Sequence, residues 1–256
     1  AESRFLMLSA NNLLKPVDGK AVTVPTQDMV LGTYYLTIER KGEIGEGHYF
    51  RDFNEAMMAY ENHQLGLHAP IKVRVEKEIN GVKKSKIIDA TLGRLIFNQP
   101  IPQDLGWVDR SDPEKEFDLE IMFVCKKGDL GTIIDRCIKK HGLSVTAQVL
   151  DNIKAMGFKY STRGALSISI ADITVPEEKP AMIAEAEKKV DTILKHFHRG
   201  ELTEEERYKA VIQTWDETTK AITDKMSKNF DTFNPIKMMS DSGARGSMAQ
   251  IRQLAG

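Results

Sequence analysis

The sequence predicts a mixed α+β domain, then an antiparallel pair of long helices, then a short segment rich in small residues. Alternating apolar residues at 71–75 predict a half-buried strand. Beyond Pro176, apolar residues recur at alternating spacings of three and four, which is typical of two paired helices. The predicted domains are a mixed domain over 1–175, a projecting helical hairpin over 176–237 and a final segment over 238–256.

Strand signals dominate the middle of the first domain. Asn80-Gly81 is typical of a two-residue type I′ turn, and it predicts a hairpin between strands at 71–75 and 82–88. A further short strand is predicted through Val22 and Val24. Proline punctuation at Pro100, Pro102 and Pro113 predicts a loop over 98–113.

Helices are predicted around these strands. Ser3–Ala10 has the composition of the end of a helix, Pro25-Thr26 opens a helix through Leu36, and 54–65 is amphipathic. Two further helices are predicted at about 130–141 and 145–156, each ended by a glycine, Gly142 and Gly157, in the left-handed conformation.

The hairpin is predicted from two apolar seams. Thr203–Glu206 is a capping box that begins the second helix, and a connection this short makes the helices antiparallel. We expect a coiled coil about 35 Å long, from the ~1.5 Å rise per residue. A buried Trp215 would make Trp215→Ala cost about 3–5 kcal/mol. The seam positions are Ile183, Ala186, Val190, Ile193 and Phe197 in the first helix, and Tyr208, Ile212, Trp215, Thr219, Ile222 and Met226 in the second.

Composition excludes several classes of protein. Apolar residues make up 41% and charged residues 29%, which excludes a disordered chain. No apolar run is long enough to cross a membrane, and no signal peptide is present, so a soluble cytoplasmic protein is expected. The formal net charge of −1 argues against an independent nucleic-acid-binding protein, which usually has a basic excess. Cys125 and Cys137 have neither zinc-site nor disulfide-framework spacing.

Common catalytic motifs are absent. There is no Walker loop, HExxH, Gly-x-Ser-x-Gly or dinucleotide fingerprint. His196 and His198 lie two apart on a helix and point in different directions, so surface histidines are expected and a metal pair is not. Asp109–Asp118 is acidic but lacks the spacing of a calcium site. Lys126-Lys127-Gly128 is interpreted as a solvated turn, with anion binding as the alternative.

The last nineteen residues carry the strongest chemical signal. Small residues in 240–247 allow a ligand to approach the backbone closely. Gly246 and Ser247 can begin a helix whose free amide groups attract anions. On such a helix Arg245 and Arg252, seven apart, would lie on one side about 10.5 Å apart. Two guanidinium groups on one face suit a phosphate chain, although glycine- and serine-rich turns near an arginine are also common without a ligand.

At these residues the sequence resembles the β′ subunit family of bacterial RNA polymerases, in order and over essentially the whole chain. The final segment is similar to the one that leads into the family's bridge helix, and the beginning is similar to the stretch after its metal-binding aspartates. The matching stretches are Met238–Ser247, Gln250–Gly256, Arg4–Leu14, Val24–Gly32, Gly157–Tyr160, Ile170–Asp172 and Val175-Pro176.

The resemblance implies a role for particular residues. Residues 1–175 correspond to the pore domain, and 176–237 to the rim helices of the secondary channel, which delivers nucleotides and receives the RNA 3′ end during backtracking. Arg245 and Arg252 match arginines that face the nucleotide triphosphate, while Met239 and Gln27 fall near the nucleotide site. The tip that Gre-type and DksA-type factors would contact comprises Phe197, His198, Arg199, Glu201, Leu202 and Glu206.

The resemblance also implies what this chain lacks. The family's Asn-Ala-Asp-Phe-Asp-Gly-Asp motif, which holds the catalytic Mg²⁺, does not occur here, so no catalytic residue and no cofactor are expected in this chain. The expected partners are the β subunit, the remainder of β′, secondary-channel factors, nucleotide and RNA. Lys209-Ala210 stands where alarmone-binding relatives carry Asn-Lys, a departure from the pattern for ppGpp.

Two other hypotheses compete. One is a stand-alone adaptor whose helical hairpin binds unrelated proteins; it would need a natural beginning and a capped end, whereas the helical patterns here begin and stop abruptly. The other is an independent phosphate-handling enzyme that uses Ser242–Arg252, which would need carboxylates or a general base at matched spacing.

Overall fold

A computed structural model describes residues 1–79, 82–112 and 114–255, and its contacts divide the chain into two compact units. The first comprises Ala1–Leu166 and Asp241–Arg245, and the second Ser167–Ser240 and Gly246–Gly256. In chain order the helices and strands are α1 (Glu2–Phe5), α2 (Asp28–Thr37), β1 (Tyr49–Phe50), α3 (Phe53–Glu61), β2 (Pro70–Ile79), β3 (Val82–Thr91), α4 (Leu92–Asn98), α5 (Lys127–Arg163), α6 (Lys179–His198), α7 (Glu204–Asn229), α8 (Pro235–Ser242) and α9 (Met248–Ala255).

The first unit confirms the mixed α+β class and most of the predicted hairpin. β2 and β3 are antiparallel, with Val73 opposite Ile88, and β1 joins β2 in parallel. The alternation at 71–75 buries Ile71 and Val73. The predicted Asn80-Gly81 turn lies outside the described residues. Around the predicted strand at Val22 and Val24 the structure shows only an isolated bridge between Leu14 and Ala21.

Helix α5 corrects one predicted boundary and confirms another. Gly142 has φ +77°, so the helical path breaks there as expected from a glycine that can adopt the left-handed region. Gly157, in contrast, lies inside the helix, which continues to Arg163. Its role is close packing, because a Cβ atom at Gly157 would lie 2.6 Å from the carbonyl oxygen of Met29 in α2. Without a side chain at Gly157, α2 and α5 can touch backbone to backbone.

Backbone carbonyl oxygens of the acidic loop accept hydrogen bonds from two cationic side chains. The Arg110 guanidinium donates to the carbonyl oxygens of Glu116 (2.8 Å) and Asp118 (2.7 Å), and Lys77 Nζ donates to that of Glu116 (3.1 Å). Glu120 is buried, pairs with Arg110 at 3.3 Å and accepts from the Trp107 amide at 2.8 Å. Burial, and then the positive charge of Arg110, lower the pKa of Lys77. The loop therefore supplies the polar partners that buried cations need.

The second unit contains the predicted helical hairpin. α6 and α7 pack against each other and are joined by residues 199–203, in which Gly200 has φ +78°. Thr203 Oγ1 accepts from the Glu206 amide while Glu206 accepts from the Thr203 amide, which confirms the capping box. The α6 seam is confirmed, with Ala186 buried and its other members half-buried. That the pair forms a coiled coil stays a prediction.

The predicted seam of α7 is wrong in the half near the tip. Tyr208, Ile212 and Trp215 are 60%, 42% and 38% exposed. Thr219, the next predicted position, is exposed as well. The positions turned inward precede Ile212, Trp215 and Thr219 by one residue each and are Val211, Thr214 and Thr218, before Ile222 and Met226 restore the predicted register. The hydroxyls of Thr214 and Thr218 donate to carbonyl oxygens four residues earlier, at 2.8 Å each, so these threonines are compatible with a packed interface.

This register lowers the stability loss expected for one variant. Because Trp215 is 38% exposed, Trp215→Ala is expected to cost less than the ~3–5 kcal/mol of a fully buried tryptophan. The matched control, Met226→Ala, removes a fully buried side chain and is expected to cost about 2–5 kcal/mol. Urea titrations of both variants test this, and a loss at Trp215 as large as that at Met226 would contradict the observed register.

At the base of the hairpin, α9 packs on α7 through buried apolar side chains. Met226, Phe230, Ile251 and Ala255 form this cluster, with Ile173, Ile236 and Met248 against it. The Asn234 side chain donates to the carbonyl oxygen of Asp172 at 2.8 Å, and Lys179 Nζ lies 3.5 Å from that of Ala255. The final segment is thus held partly by the second unit, although Asp241–Arg245 belongs to the first.

Candidate functional site

The segment Asp241–Arg245 is anchored in the first unit by small residues. Ala244 packs against the main apolar core, and a Cβ atom at Gly243 would lie 3.4 Å from that of Lys127, at the beginning of α5. Burial raises the pKa of Tyr34 in α2, and the charge of Asp241 raises it further. Lys127 and Arg245 are both exposed.

The structure corrects the expected geometry of the two arginines. α9 begins at Met248, with Ser247 in a reciprocal cap: Ser247 N donates to Gln250 Oε1 (3.1 Å), and Gln250 N donates to Ser247 Oγ (3.4 Å). Gly246 precedes the helix with φ +83°, a conformation that favours glycine. Arg245 therefore lies before the helix, and the spacing of about 10.5 Å on one helical face, taken from the ~1.5 Å rise per residue, does not apply.

Both guanidinium groups are available to a ligand. Arg245 and Arg252 are exposed, and within the described parts of the chain neither forms a hydrogen bond or an ion pair. Met239, on α8, is half-buried. Arg245 belongs to the first unit, whereas Met239 and Arg252 belong to the second. The two guanidinium groups are thus exposed and without a protein partner in the described chain.

Gln27 lies in the first unit at an unusual backbone position. It is exposed and immediately precedes α2, with φ +48° and ψ −119°. Its carbonyl oxygen accepts from the Leu31 amide at 2.9 Å, but its side chain does not cap the helix. Non-glycine residues at positive φ carry a conformational cost and are enriched at functional sites. Gln27 thus combines a strained backbone conformation with a side chain that does not cap α2.

At the hairpin tip, an aromatic ring is covered by a cation. Phe197 is half-buried, and the Arg207 guanidinium lies 5.5 Å from its ring centroid. Arg207 Nε donates to Glu204 at 3.0 Å, and this hydrogen bond lowers the pKa of Glu204. Arg207 was not among the predicted tip residues, although its position three residues after Glu204 on a helix is the spacing of an ion pair.

The remaining tip residues divide between exposed charges and structural contacts. The Glu201 carboxylate contacts His196 Nδ1 and lies 3.9 Å from Arg199. His198 and Arg199 are exposed, and Leu202 is half-buried. Glu206 is occupied in the capping box, and hydrogen bonds from Thr203 lower its pKa. Of the two predicted acidic contacts at the tip, Glu201 is therefore the better probe, because altering Glu206 would also uncap α7.

Two features are absent from the residues that the structure describes. No group of three or more histidine, cysteine or acidic side chains there is placed to hold a metal ion. No helix among them is long and apolar enough to span a bilayer.

Comparisons with known proteins show the family to which the chain belongs. The family described as RNA polymerase Rpb1, domain 3, matches residues 12–173, and RNA polymerase Rpb1, domain 4, matches 202–256. The chain therefore belongs to the RNA polymerase Rpb1 family.

Its relatives include DNA-directed RNA polymerase subunits beta′ of several bacteria. The chain is 59% identical over all 256 residues to that of Acetivibrio thermocellus, and 55% identical to those of Thermoanaerobacter pseudethanolicus and Clostridium acetobutylicum. It spans 22% of the length of each of these relatives.

Proposed function

We propose that this chain forms part of the secondary channel of a bacterial DNA-directed RNA polymerase, as an internal region of its β′ subunit in the cytoplasm. The supporting observation is full-length similarity, at 53–59% identity, to subunits with that name. In this proposal the first unit lines the channel for nucleotides and the RNA 3′ end, and the hairpin receives regulatory factors. The β subunit and the rest of β′ complete the enzyme.

The region would contribute no carboxylates to catalysis. The Asn-Ala-Asp-Phe-Asp-Gly-Asp motif does not occur in the sequence, and the described residues offer no metal cluster. Phosphoryl transfer by two metal ions requires such ligands. The catalytic Mg²⁺ is thus assigned to other parts of the polymerase, and nucleotide condensation by this chain alone is not expected.

Arg245 is proposed to hold the nucleotide triphosphate. Its guanidinium is exposed and has no ion-pair partner in the described chain, while Ala244, next to it, is packed on the core. A guanidinium can donate two parallel hydrogen bonds to phosphate oxygens. Arg245 thus combines a neighbouring backbone that is packed on the core with an unpaired guanidinium group in the described chain. This arrangement favours anion binding, because less conformational entropy is lost when the anion binds. Arg252, on α9, is proposed to act with it.

Removal of this contact is expected to weaken nucleotide binding. In polymerase assembled with Arg245→Ala, the apparent Kd for the incoming nucleotide should rise by about tenfold or more, since a hydrogen bond to a charged group contributes about 1.5–3 kcal/mol. Single-nucleotide addition kinetics measure this. Arg51→Ala, another exposed arginine in the first unit, is the control and should leave the constant unchanged. An unaltered nucleotide affinity in the Arg245 variant would refute the proposed role.

The hairpin tip is proposed to receive Gre-type and DksA-type factors. Glu201 and Arg199 present exposed charge, and His198 an exposed imidazole, next to the half-buried Phe197 and Leu202. A calorimetric titration of the chain with a Gre-type factor should show binding that weakens with Glu201→Lys. Asp151→Lys, on α5, is the control. If Glu201→Lys binds as tightly as the unaltered chain, the tip is not the docking surface.

The adaptor hypothesis lacks a comparable observation, because similarity to β′ subunits extends over the whole chain. The hypothesis of an independent phosphate-handling enzyme is not favoured either, since Ser242–Arg252 has no accompanying metal-type cluster among the described residues. Lys209-Ala210 stands where alarmone-binding relatives carry Asn-Lys. The Lys209 Nζ atom lies 2.7 Å from the Glu205 carboxylate. Its ammonium group is thus already partnered, which gives no support to alarmone binding there.

A further inference from the structure

A short turn fixes the backbone in front of Arg245, the residue proposed above to hold the nucleotide triphosphate. Ser242 is fully buried, Gly243 is exposed, Ala244 is half-buried against the main apolar core, and Arg245 is exposed. Inward and outward positions thus alternate over these four residues of the first unit. Arg245 therefore presents its side chain to solvent from a backbone that is attached to the core one residue earlier.

Two features hold this turn. Gly243 has φ +72°, which lies in the left-handed region that favours glycine. The Ala244 amide donates to Ser242 Oγ at 3.2 Å, so a buried hydroxyl accepts from the residue that precedes Arg245. A Cβ atom at Gly243 would lie 3.4 Å from that of Lys127, which is an ordinary van der Waals contact. Backbone conformation, and not lack of space, therefore restricts position 243.

Gly243 also follows the last residue of α8, and a left-handed glycine commonly ends a helix at this place. A helix end of that kind needs only the glycine. Here the next residue, Ala244, is held as well, by its amide and by the core, and it leads directly to the Arg245 guanidinium. An arginine side chain loses conformational freedom when it binds an anion, so a fixed Cα position reduces what remains to be ordered.

From these observations we infer that Ser242 and Gly243 are positioning residues, which hold the backbone in a conformation from which the Arg245 guanidinium reaches the phosphate oxygens of a nucleotide. The inference rests on the function proposed above for Arg245. Gly243 does not touch the ligand and acts only through Arg245. A residue with a Cβ atom disfavours the left-handed backbone, so in such a variant the turn relaxes and nucleotide binding has to restore it. The apparent affinity then falls although the guanidinium is still present.

The test uses polymerase assembled with the full-length subunit, and single-nucleotide addition kinetics that separate the apparent Kd for the nucleotide from the rate at saturation. Gly243→Ala is expected to raise the Kd by about fivefold or more, with a saturated rate within about twofold of the unaltered enzyme. Gly243→Asn should retain most of the affinity, because asparagine adopts the left-handed conformation more readily than alanine. Ser242→Ala, which removes the acceptor for the Ala244 amide, should raise the Kd by about threefold. An unaltered Kd in both Gly243→Ala and Ser242→Ala would overturn the inference.

Gly42→Ala is the matched control for backbone strain. Gly42 lies in an exposed loop of the first unit with φ +81°, and no atom of the described chain lies within 4 Å of where its Cβ would be. The substitution carries the same kind of conformational cost as Gly243→Ala and should leave the nucleotide Kd unchanged. An equal rise of the Kd with Gly42→Ala would mean that affinity responds to general destabilisation, which contradicts a positioning role.

A double variant shows whether Gly243 acts through Arg245. Gly243→Ala added to Arg245→Ala should raise the Kd no further than Arg245→Ala alone, because the guanidinium that the turn positions is already absent. Effects that add would show that Gly243 acts independently of Arg245, and would overturn the inference while the proposed function stands. Arg245→Ala with an unaltered Kd would instead refute the proposed function, and this inference with it.

Discussion

Gly32→Ala is expected to destabilise the first unit by about 3 kcal/mol or more, since inserting atoms into a packed interface forces the backbone to shift. An added Cβ atom at Gly32 would lie 1.9 Å from the carbonyl oxygen of Gly157, well inside van der Waals contact. The obstacle is backbone, so it cannot rotate away as a flexible side chain could. The packing of α2 on α5 depends on this contact, and urea unfolding monitored by circular dichroism measures the loss.

Gly131→Ala is the matched control. Gly131 also lies within a helix, α5, but no atom lies within 4 Å of where its Cβ would be. Alanine has the higher helix propensity, so this substitution should be neutral or should stabilise the chain by about 0.5–1 kcal/mol. The opposite signs of the two substitutions separate close packing from helix propensity. If Gly32→Ala were as benign as Gly131→Ala, the close approach of α2 and α5 would be incorrect.

Arg110→Ala is expected to cost about 3 kcal/mol, because removing one member of a buried ion pair leaves an uncompensated charge. Its partner Glu120 has a fully buried carboxylate, and the pair distance is 3.3 Å. We take the lower end of the usual range because the Arg110 side chain is 27% exposed. The same guanidinium also holds the carbonyl oxygens of Glu116 and Asp118, so the acidic loop should loosen as well.

A second substitution distinguishes lost pairing from lost packing. Adding Glu120→Gln to Arg110→Ala removes the buried charge, while the amide oxygen can still accept from the Trp107 N–H. The double variant should therefore be more stable than Arg110→Ala alone. Lys154→Ala, which breaks an exposed pair with Asp151, is the control and should cost less than about 1 kcal/mol. A double variant no more stable than Arg110→Ala would show that charge burial is not the main cost.

Local signals in the sequence predicted much of the fold. The alternation at 71–75 buried the expected residues because neighbouring side chains on a strand point to opposite faces. The capping box at Thr203–Glu206 formed because it needs only contacts within one turn. The mixed class and the pairing of α6 with α7 followed from the same kind of pattern. α4 was not predicted, although Leu92 and Phe97 are fully buried, because seven residues give too short a periodic signal.

The candidate site was predicted less completely. Arg245 and Arg252 were singled out by residue type, and both are exposed, but their common helical face was wrong because Gly246 and the cap at Ser247 begin the helix later. The spacing of Arg207 from Glu204 was visible in the sequence, but the contact of Arg207 with Phe197 was missed because Phe197 lies on the other helix. Contacts of this kind depend on how two elements meet, which the local pattern of one helix does not contain.

The sequence by itself determined the family, the capping box at Thr203–Glu206, the antiparallel pairing of β2 with β3 and the identity of the candidate cations, because each is encoded in residue types at short spacing. Only the tertiary structure decided that Gly157 is a packing residue rather than a helix end, and that Trp215 faces outward. The physical reason is shared by both cases. A glycine can end a helix or admit a neighbouring backbone, and an apolar stripe can face its hairpin partner or another molecule. The element packed against each residue selects between these alternatives.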